Sequence, residues 1–427
     1  MKRVLKKIFN KAGFSIHRII KNPSRYDITK KRSFSGFVKD ADHPYDLLII
    51  DDFLPNSLGS WRSIEMATYL KIFNNVQLLC LKNYYFKKIY PINYEEDRKS
   101  FLSKYNLNST KNNIIGIDSP DRINVNARLG YCLFISNLKV SFPLFEKFKI
   151  PFLFTLYPGA GFRFYNKESD NFLRNVNDSP LFRGVIVTQQ STFNYLVDRE
   201  IIPENKIHFI YGVPNQLTEF NLLNPKKFYK KNKSTLDICF VATKYTKFGI
   251  DKGFDVFCQV AHRLSKKYNF VKFHVVGGFG KEDVLYSIPK DQINFYSYQY
   301  FEFFKDFYCN IDIILSPVKS SVYGEGSFDG FPTGAVTDAG LFNVMMVSSD
   351  PLNDNKYPDF KNWEEMIIAE SNQYAISDIV EKVIENPLLI EEIATAGKNK
   401  LMTLFSRENQ IDKRVDLIKE ILEESKK

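Results

Sequence analysis

Residues 46–73 read DLLIIDDFLPNSLGSWRSIEMATYLKIF. The opening run, DLLIIDD, is short, apolar and β-branched, the pattern of a strand covered on both faces. A loop with Pro55 and Gly59 follows, and from Trp61 to Phe73 the apolar residues recur at helical spacing. Strand, loop and helix in this order form the unit of a parallel sheet, because parallel neighbours need a crossover and a helix supplies it.

The unit recurs outward from this stretch. VQLLCL (76–81), NIIGI (113–117) and CLFIS (132–136) read as strands, and IPFLFTLYPGAG (150–161) runs from a strand into a glycine-rich loop. VIVTQQ (185–190) precedes a helix over STFNYLVDRE, and KIHFIYG (206–212) ends the first set. Residues 215–235, NQLTEFNLLNPKKFYKKNKST, are polar and basic and read as a linker. At LDICFVA (236–242) the rhythm restarts. A helix over KGFDVFCQVAHRLSKKY, strands at KFHVVGG, QINFYSY, DIILSP and VMMVSS, and helical spacing over 378–424 follow. The expectation is an α/β protein of two Rossmann-like, doubly wound parallel-sheet domains facing each other across a cleft. The boundaries are a basic extension (1–40), an N-terminal domain (41–214), a linker (215–235), a C-terminal domain (236–405), and a last helix (406–427) packing back toward the N-terminal domain.

Composition narrows the setting. No apolar run reaches the roughly 18–20 residues of a membrane span, and residues 1–30 lack the apolar stretch of a secretory signal. The five cysteines are scattered through apolar segments and read as reduced core residues of a cytoplasmic protein. The net charge of +10 belongs entirely to residues 1–40, which hold twelve Lys/Arg and two Asp; the remainder carries 47 basic and 47 acidic residues. A nucleic-acid partner is therefore not expected, since its basic charge would line folded grooves. In the extension, Leu5, Ile8 and Phe9 share a helical face flanked by Lys6, Lys7 and Lys11. One reading is a solvated tail docked on its own domain. The other is a peripheral anchor through residues 1–33 for the anionic inner face of the cell membrane.

Chemistry is sought where strands end and loops begin. Residues 328–340 read FDGFPTGAVTDAG, a tight turn between Asp329 and Asp338, with a helix starting near Gly334. Lys244, Lys247 and Lys252 crowd the loop after 236–242, and Lys252-Gly253 opens another helix. Solvated loop lysines are the plain reading. Two helix N-termini beside ammonium groups also suit a pyrophosphate. An acid beyond the turn suits the vicinal hydroxyls of a ribose, or serves as a first-turn helix acid. Together they describe a nucleotide-sugar. The glycine turn at Gly277–Gly280 is a further strand-end loop. The five histidines are dispersed and no cysteine cluster occurs, so no metal is expected. Asp51-Asp52 at the end of the first strand could hold Mg²⁺, yet no Asp-x-Asp triplet follows it, and no Gly-x-Ser-x-Gly elbow signals a hydrolase.

These segments resemble the family 4 glycosyltransferases, retaining enzymes of the GT-B fold, over roughly residues 45–425. DGFPTGAVTDAGLFNVMMVSS is similar to that family's acid–seven residues–acid motif, with Asp at both acids and one residue inserted; without the insertion, Thr337 takes the second position. The resemblance implies Lys244 (or Lys247) and Lys252 on the donor diphosphate, where the family commonly has Arg and then Lys-Gly. It implies Asp329 on the sugar, Gly330, Phe331, Pro332 and Thr333 along sugar and phosphates, Asp338 on the ribose, and Gly278 in the donor pocket. LPNSLGSWRS resembles the first-domain loop near the phosphates, with Gly59 at the close approach. Tyr157 stands where many members carry a His beside the transferring sugar. The implied activity is retaining transfer from a nucleotide-sugar to a surface-polysaccharide or lipid-linked glycan acceptor. No metal cofactor is implied, and domain closure across the linker would expel water. A sugar-binding or partner subunit without turnover is the alternative; a nucleotide-sugar epimerase of the same fold would call for a His not found here.

Overall fold

The computed structural model describes residues 36–55, 60–81, 93–107, 113–117 and 122–424. The amphipathic stretch of residues 1–33 and Gly59 lie outside them. A short β1 (Phe37–Val38) leads into β2 (Tyr45–Asp51), the strand read at 46–52, and α1 (Ser60–Ile72) follows. The first domain continues through β3 (Val76–Cys80), α2 (Tyr94–Lys104), β4 (Ile114–Gly116), β5 (Ile123–Asn124), β6 (Ala127–Leu133) and α3 (Phe134–Phe148). It closes with β7 (Phe152–Leu156), α4 (Lys167–Asn177), β8 (Phe182–Val187), α5 (Gln190–Asp198) and β9 (Ile207–Phe209). Seven strands lie in the order β4-β3-β2-β6-β7-β8-β9, all parallel, while β1 pairs with β5 apart from them.

The second domain contains β10 (Leu236–Ala242), α6 (Phe254–Ser265), β11 (Val271–Gly277), β12 (Ile293–Tyr296), α7 (Phe301–Phe307) and β13 (Ile313–Ser316). It then adds α8 (Gly334–Leu341), β14 (Met345–Ser348), β15 (Ile367–Ile368), α9 (Gln373–Glu385) and α10 (Leu388–Leu404). Its parallel order is β12-β11-β10-β13-β14-β15. The chain winds outward from β10 and then returns to its other side as β13. In the first domain, β2 and β6 stand in the same relation. A crevice at the C-terminal ends of such a strand pair follows from the topology, because the two loops leave in opposite directions.

CLFIS (132–136), read as a strand, divides between two elements. β6 starts earlier, at Ala127, and α3 begins at Phe134. Arg128 and Gly130 hide the strand's start in the sequence. Gly130 is needed by packing: a Cβ there would stand 2.4 Å from the Phe145 ring of α3. The apolar run that remains joins a strand end to a helix start, and periodicity cannot separate the two.

Residues 215–235 are folded onto the second domain in their latter half. Phe228 and Tyr229 belong to its core. Lys226 donates to the carbonyls of Tyr308 and Ile311, and burial pulls its ammonium down to about 7. Lys233 pairs with Asp237 and Asp312. At the other end, α11 (Lys413–Glu424) lies on the first domain. Val415, Ile418, Ile421 and Leu422 share one core with β2, β3 and α1, each such side chain worth about 1.5–3 kcal/mol when fully buried. Arg414, wholly buried, donates to Gln410 and to the Gly212 carbonyl. The carboxylate of buried Glu65 accepts from the hydroxyls of Tyr69, Tyr131 and Tyr157.

Candidate functional site

The lysines and the FDGFPTG turn leave from β10 and β13, the two strands at the switch point of the second sheet. The loop after β10 ends at Gly253, whose φ is +75°. A Cβ there would lie 1.9 Å from the Pro317 carbonyl oxygen, so only glycine lets the start of α6 settle against the loop after β13. Lys252 is thereby carried over that loop. Its Nζ stands 2.6 and 2.7 Å from the two carboxylate oxygens of Asp329, with side chains 14% and 30% exposed. Burial alone would lower the Lys252 ammonium, but the Asp329 charge outweighs it and holds the group above its usual range. The pair is short, charge-assisted and partly open to solvent.

The helix read near Gly334 starts there as α8. Thr333 is its N-cap residue but makes no side-chain cap, and no acid occupies the first turn. The Thr333 hydroxyl lies 3.5 Å from that of Ser316 at the end of β13. A Cβ at Gly334 would meet nothing within 4 Å, so the terminus faces open space. An uncapped helix start of this kind favours an anion through its free N–H groups and dipole.

One turn further, Asp338 is partly buried, and its carboxyl has no hydrogen-bond or ion-pair partner among the described residues. Burial alone pushes its carboxyl up to about 7. Its charge adds to the burial that raises the neighbouring Tyr308 hydroxyl. Thr337, the position that an ungapped reading favours, is 2% exposed and turned into the core. Of the two, Asp338 keeps the open polar group.

Other expected site residues lie elsewhere. Lys244 is bound to Asp283, with Nζ 2.6 and 2.7 Å from its carboxylate oxygens, and Asp283 also accepts from the Gly280 N–H. Lys244 therefore ties the loop after β10 to the glycine turn after β11 and does not join Lys252. Lys247 is exposed, its ammonium 4.7 Å from the Phe248 ring centre. Gly278 lies under Tyr298, whose hydroxyl a Cβ would meet at 2.3 Å. Phe331 and Pro332 are buried. Tyr157, read as standing beside the sugar, is 4% exposed. Its hydroxyl turns inward to Glu65 at 3.4 Å, and its ring packs on Trp61 and Phe134. In this arrangement it offers no group to a ligand in the cleft.

Two arginines at the strand ends were not singled out from the sequence. Arg62 on α1 donates to Asp52 at 2.9 Å and lies 3.4 Å from Asp51, with its guanidinium over the Phe134 ring. Asp51 accepts from the N–H groups of Phe53 and Leu54. The Asp51-Asp52 pair is thus committed to Arg62 and to its own backbone. Asking what cation neutralises two adjacent acids would have pointed to Arg62. Arg163, from the loop after β7, stacks over Tyr323 of the second domain at 5.5 Å; nothing in its spacing signals this cross-domain contact.

No protein-family model matches the chain, and no curated protein matches it in sequence. Solved structures match in fold. A glycosyltransferase from Rickettsia africae ESF-5 superposes with a TM-score of 0.62 at 15% identity, covering 89% of this chain and 99% of its own. Sucrose-phosphate synthase from Thermosynechococcus elongatus gives 0.60 at 12% identity, with coverages of 88% and 99%. HepE from Anabaena, in complex with UDP-glucose, gives 0.60 at 12% identity, with coverages of 88% and 98%. At these identities the likeness is one of fold. The two facing parallel-sheet domains form the GT-B architecture.

Proposed function

We propose, from a GT-B chain whose second-domain switch point holds Lys252, Asp329 and an open helix start together, that this protein is a retaining glycosyltransferase of the family 4 type. It would move a sugar from a nucleotide-sugar to a surface-polysaccharide or lipid-linked glycan acceptor. The convergence of a cation, an acid and an uncapped α8 on one sheet edge carries the reading. In the free protein Lys252 is held by Asp329. On donor binding, Lys252 and the start of α8 face the diphosphate, Asp329 is released to the sugar hydroxyls, and Asp338 accepts from the ribose. Charge developing on the leaving nucleoside diphosphate is then met by fixed protein groups as the acceptor attacks on the face it leaves. This reading routes no step through a metal ion. HepE, of the same fold, is a UDP-glucose complex in its solved structure, which supports placing UDP-sugars first among donors to try.

A second reading, a sugar-binding or partner subunit without turnover, is favoured by the inward Tyr157 and the engaged Lys244. A thermal-shift screen against UDP-, GDP-, ADP- and CMP-sugars, followed by a turnover assay, separates the two. Stabilisation by one nucleotide-sugar with turnover supports the enzyme; stabilisation without turnover supports the subunit. No shift with any of them would sink both. For the basic extension we propose peripheral docking on an anionic leaflet. The full chain is expected to sediment with phosphatidylserine vesicles and a chain lacking residues 1–33 to stay in the supernatant. Equal sedimentation would remove the anchor.

A further inference from the structure

We infer that the first domain positions Asp329 through Gln189 and through an aromatic socket for Phe328. Docking of the two domains then helps to fix the acid of the second domain in place. The inference rests on the reading above for what Asp329 binds, and goes beyond it in naming what holds Asp329.

The segment carrying Asp329 is tied to the first domain on both sides, by the Phe328 ring and by the Phe331 backbone, while the Phe331 ring packs in the second domain's core. Phe328, 6% exposed, lies in the first domain's core. Its ring stacks on Phe164 with centres 4.2 Å apart and meets Phe162 edge-on at 5.8 Å. The backbone follows the ring: the Phe164 N–H donates to the Gly326 carbonyl at 2.9 Å. Gly326 has φ of +71°, and a Cβ there would stand 1.8 Å from the Phe164 carbonyl oxygen. Only glycine allows that approach.

On the other side, Phe331 is gripped at both backbone groups. Its N–H donates to Gln189 Oε1 at 3.0 Å, and its carbonyl accepts from the Tyr211 hydroxyl at 2.9 Å. Gln189 and Tyr211 are each 5% exposed. Gln189 is the N-cap residue of α5 but makes no side-chain cap for its own helix; the amide is spent across the domain boundary instead. Immediately after it, the Ser191 N–H and hydroxyl donate to Asp354 of the second domain at 2.8 and 2.9 Å. Between Phe328 and Phe331 only Asp329 and Gly330 remain. A Cβ at Gly330 would come 3.0 Å from Gln189 Nε2, so the Gln189 amide lies directly against this short stretch of backbone. Asp329 in turn holds Lys252. A contact made by α5 is thus transmitted to the charged pair through two residues of backbone.

Gln189 is therefore a positioning residue. A buried N–H that loses its acceptor costs free energy, and here the cost falls on the segment carrying Asp329. The test compares Gln189→Leu, which removes the acceptor, with Gln189→Glu, which keeps an oxygen at the same place. In the full-length chain, Gln189→Leu is expected to raise amide exchange over residues 326–331 about tenfold and to increase acetic-anhydride labelling of Lys252 relative to Lys244. Gln189→Glu should restore both to the native level. Unchanged exchange and labelling in Gln189→Leu would overturn the inference. So would equal loss in both variants together with a lowered melting temperature, which marks a merely structural role. If Gln189→Leu does not fold, Phe328→Leu is read by the same two measurements, with the same outcomes. Neither readout uses a donor, so absence of sugar transfer would count against the proposed activity and leave this inference standing.

Discussion

Lys252→Ala is expected to lower sugar transfer by about 10²–10³-fold, the usual loss when one group that stabilises developing charge is removed. Lys252 is the ammonium held 2.6 Å from Asp329, on the turn that leads into the open start of α8. Lys244 is committed to Asp283, and Lys247, the alternative at that position, is exposed over the Phe248 ring. Lys252 is thus left to carry the charge that the departing diphosphate requires. The fold should tolerate the change. Asp329 is 30% exposed and regains water when its partner goes, so the loss should stay below the roughly 3–5 kcal/mol of breaking a fully buried pair. A melting temperature within a few degrees of the native value, with transfer nearly abolished, is the expected result. Native turnover in Lys252→Ala would refute the assignment. Lys244→Ala is the contrast: it should leave most of the turnover and loosen the glycine turn after β11.

Asp338→Ala is expected to weaken nucleotide binding by more than about tenfold, the loss of two charge-assisted hydrogen bonds from ribose hydroxyls. The same carboxyl predicts a pH dependence. Because burial raises it from 3.8 to about 7, it is largely protonated below neutrality and accepts poorly. Nucleotide affinity should therefore fall as pH drops from 8 to 6, and Asp338→Asn should flatten that profile. Stability runs the other way. The folded protein retains a proton that the unfolded chain releases above about pH 4, so this group lowers stability as pH rises toward 7. Asp338→Asn should melt above the native protein at pH 8, and the gain should shrink on acidification. A variant that is more stable yet binds worse marks a residue kept for its ligand. Unchanged affinity in calorimetry would sink the ribose role, whatever the melting curve shows.

What the chain discloses, and what it conceals, can be followed residue by residue. DLLIIDD and LDICFVA are legible as strands because a strand buried on both faces must be apolar without alternation. The Lys252-Gly253 helix start and the one near Gly334 are legible because helix termini have local rules that one sequence can state. The strand at Ala127 is masked by Arg128 and Gly130, the latter present for a Phe145 ring fifteen positions away. Similarly, a polar and basic stretch reads as a linker, while Phe228 and Tyr229 within it complete a core assembled from distant strands.

By itself, then, the sequence determined most of the sheet strands, their alternation with helices, the two parallel-sheet domains and the loops where chemistry gathers. Each of these follows from short-range periodicity and turn chemistry. Only the tertiary structure decided which side chains those loops place together. It paired Lys252 with Asp329 and Lys244 with Asp283, turned Tyr157 inward to Glu65, and kept the Asp338 carboxyl open while burying Thr337. It also seated Phe328 in the first domain and set Gln189 against Phe331. The physical reason is that such pairings join residues tens to more than a hundred positions apart. Burial, charge and excluded volume select them only once both sheets are packed.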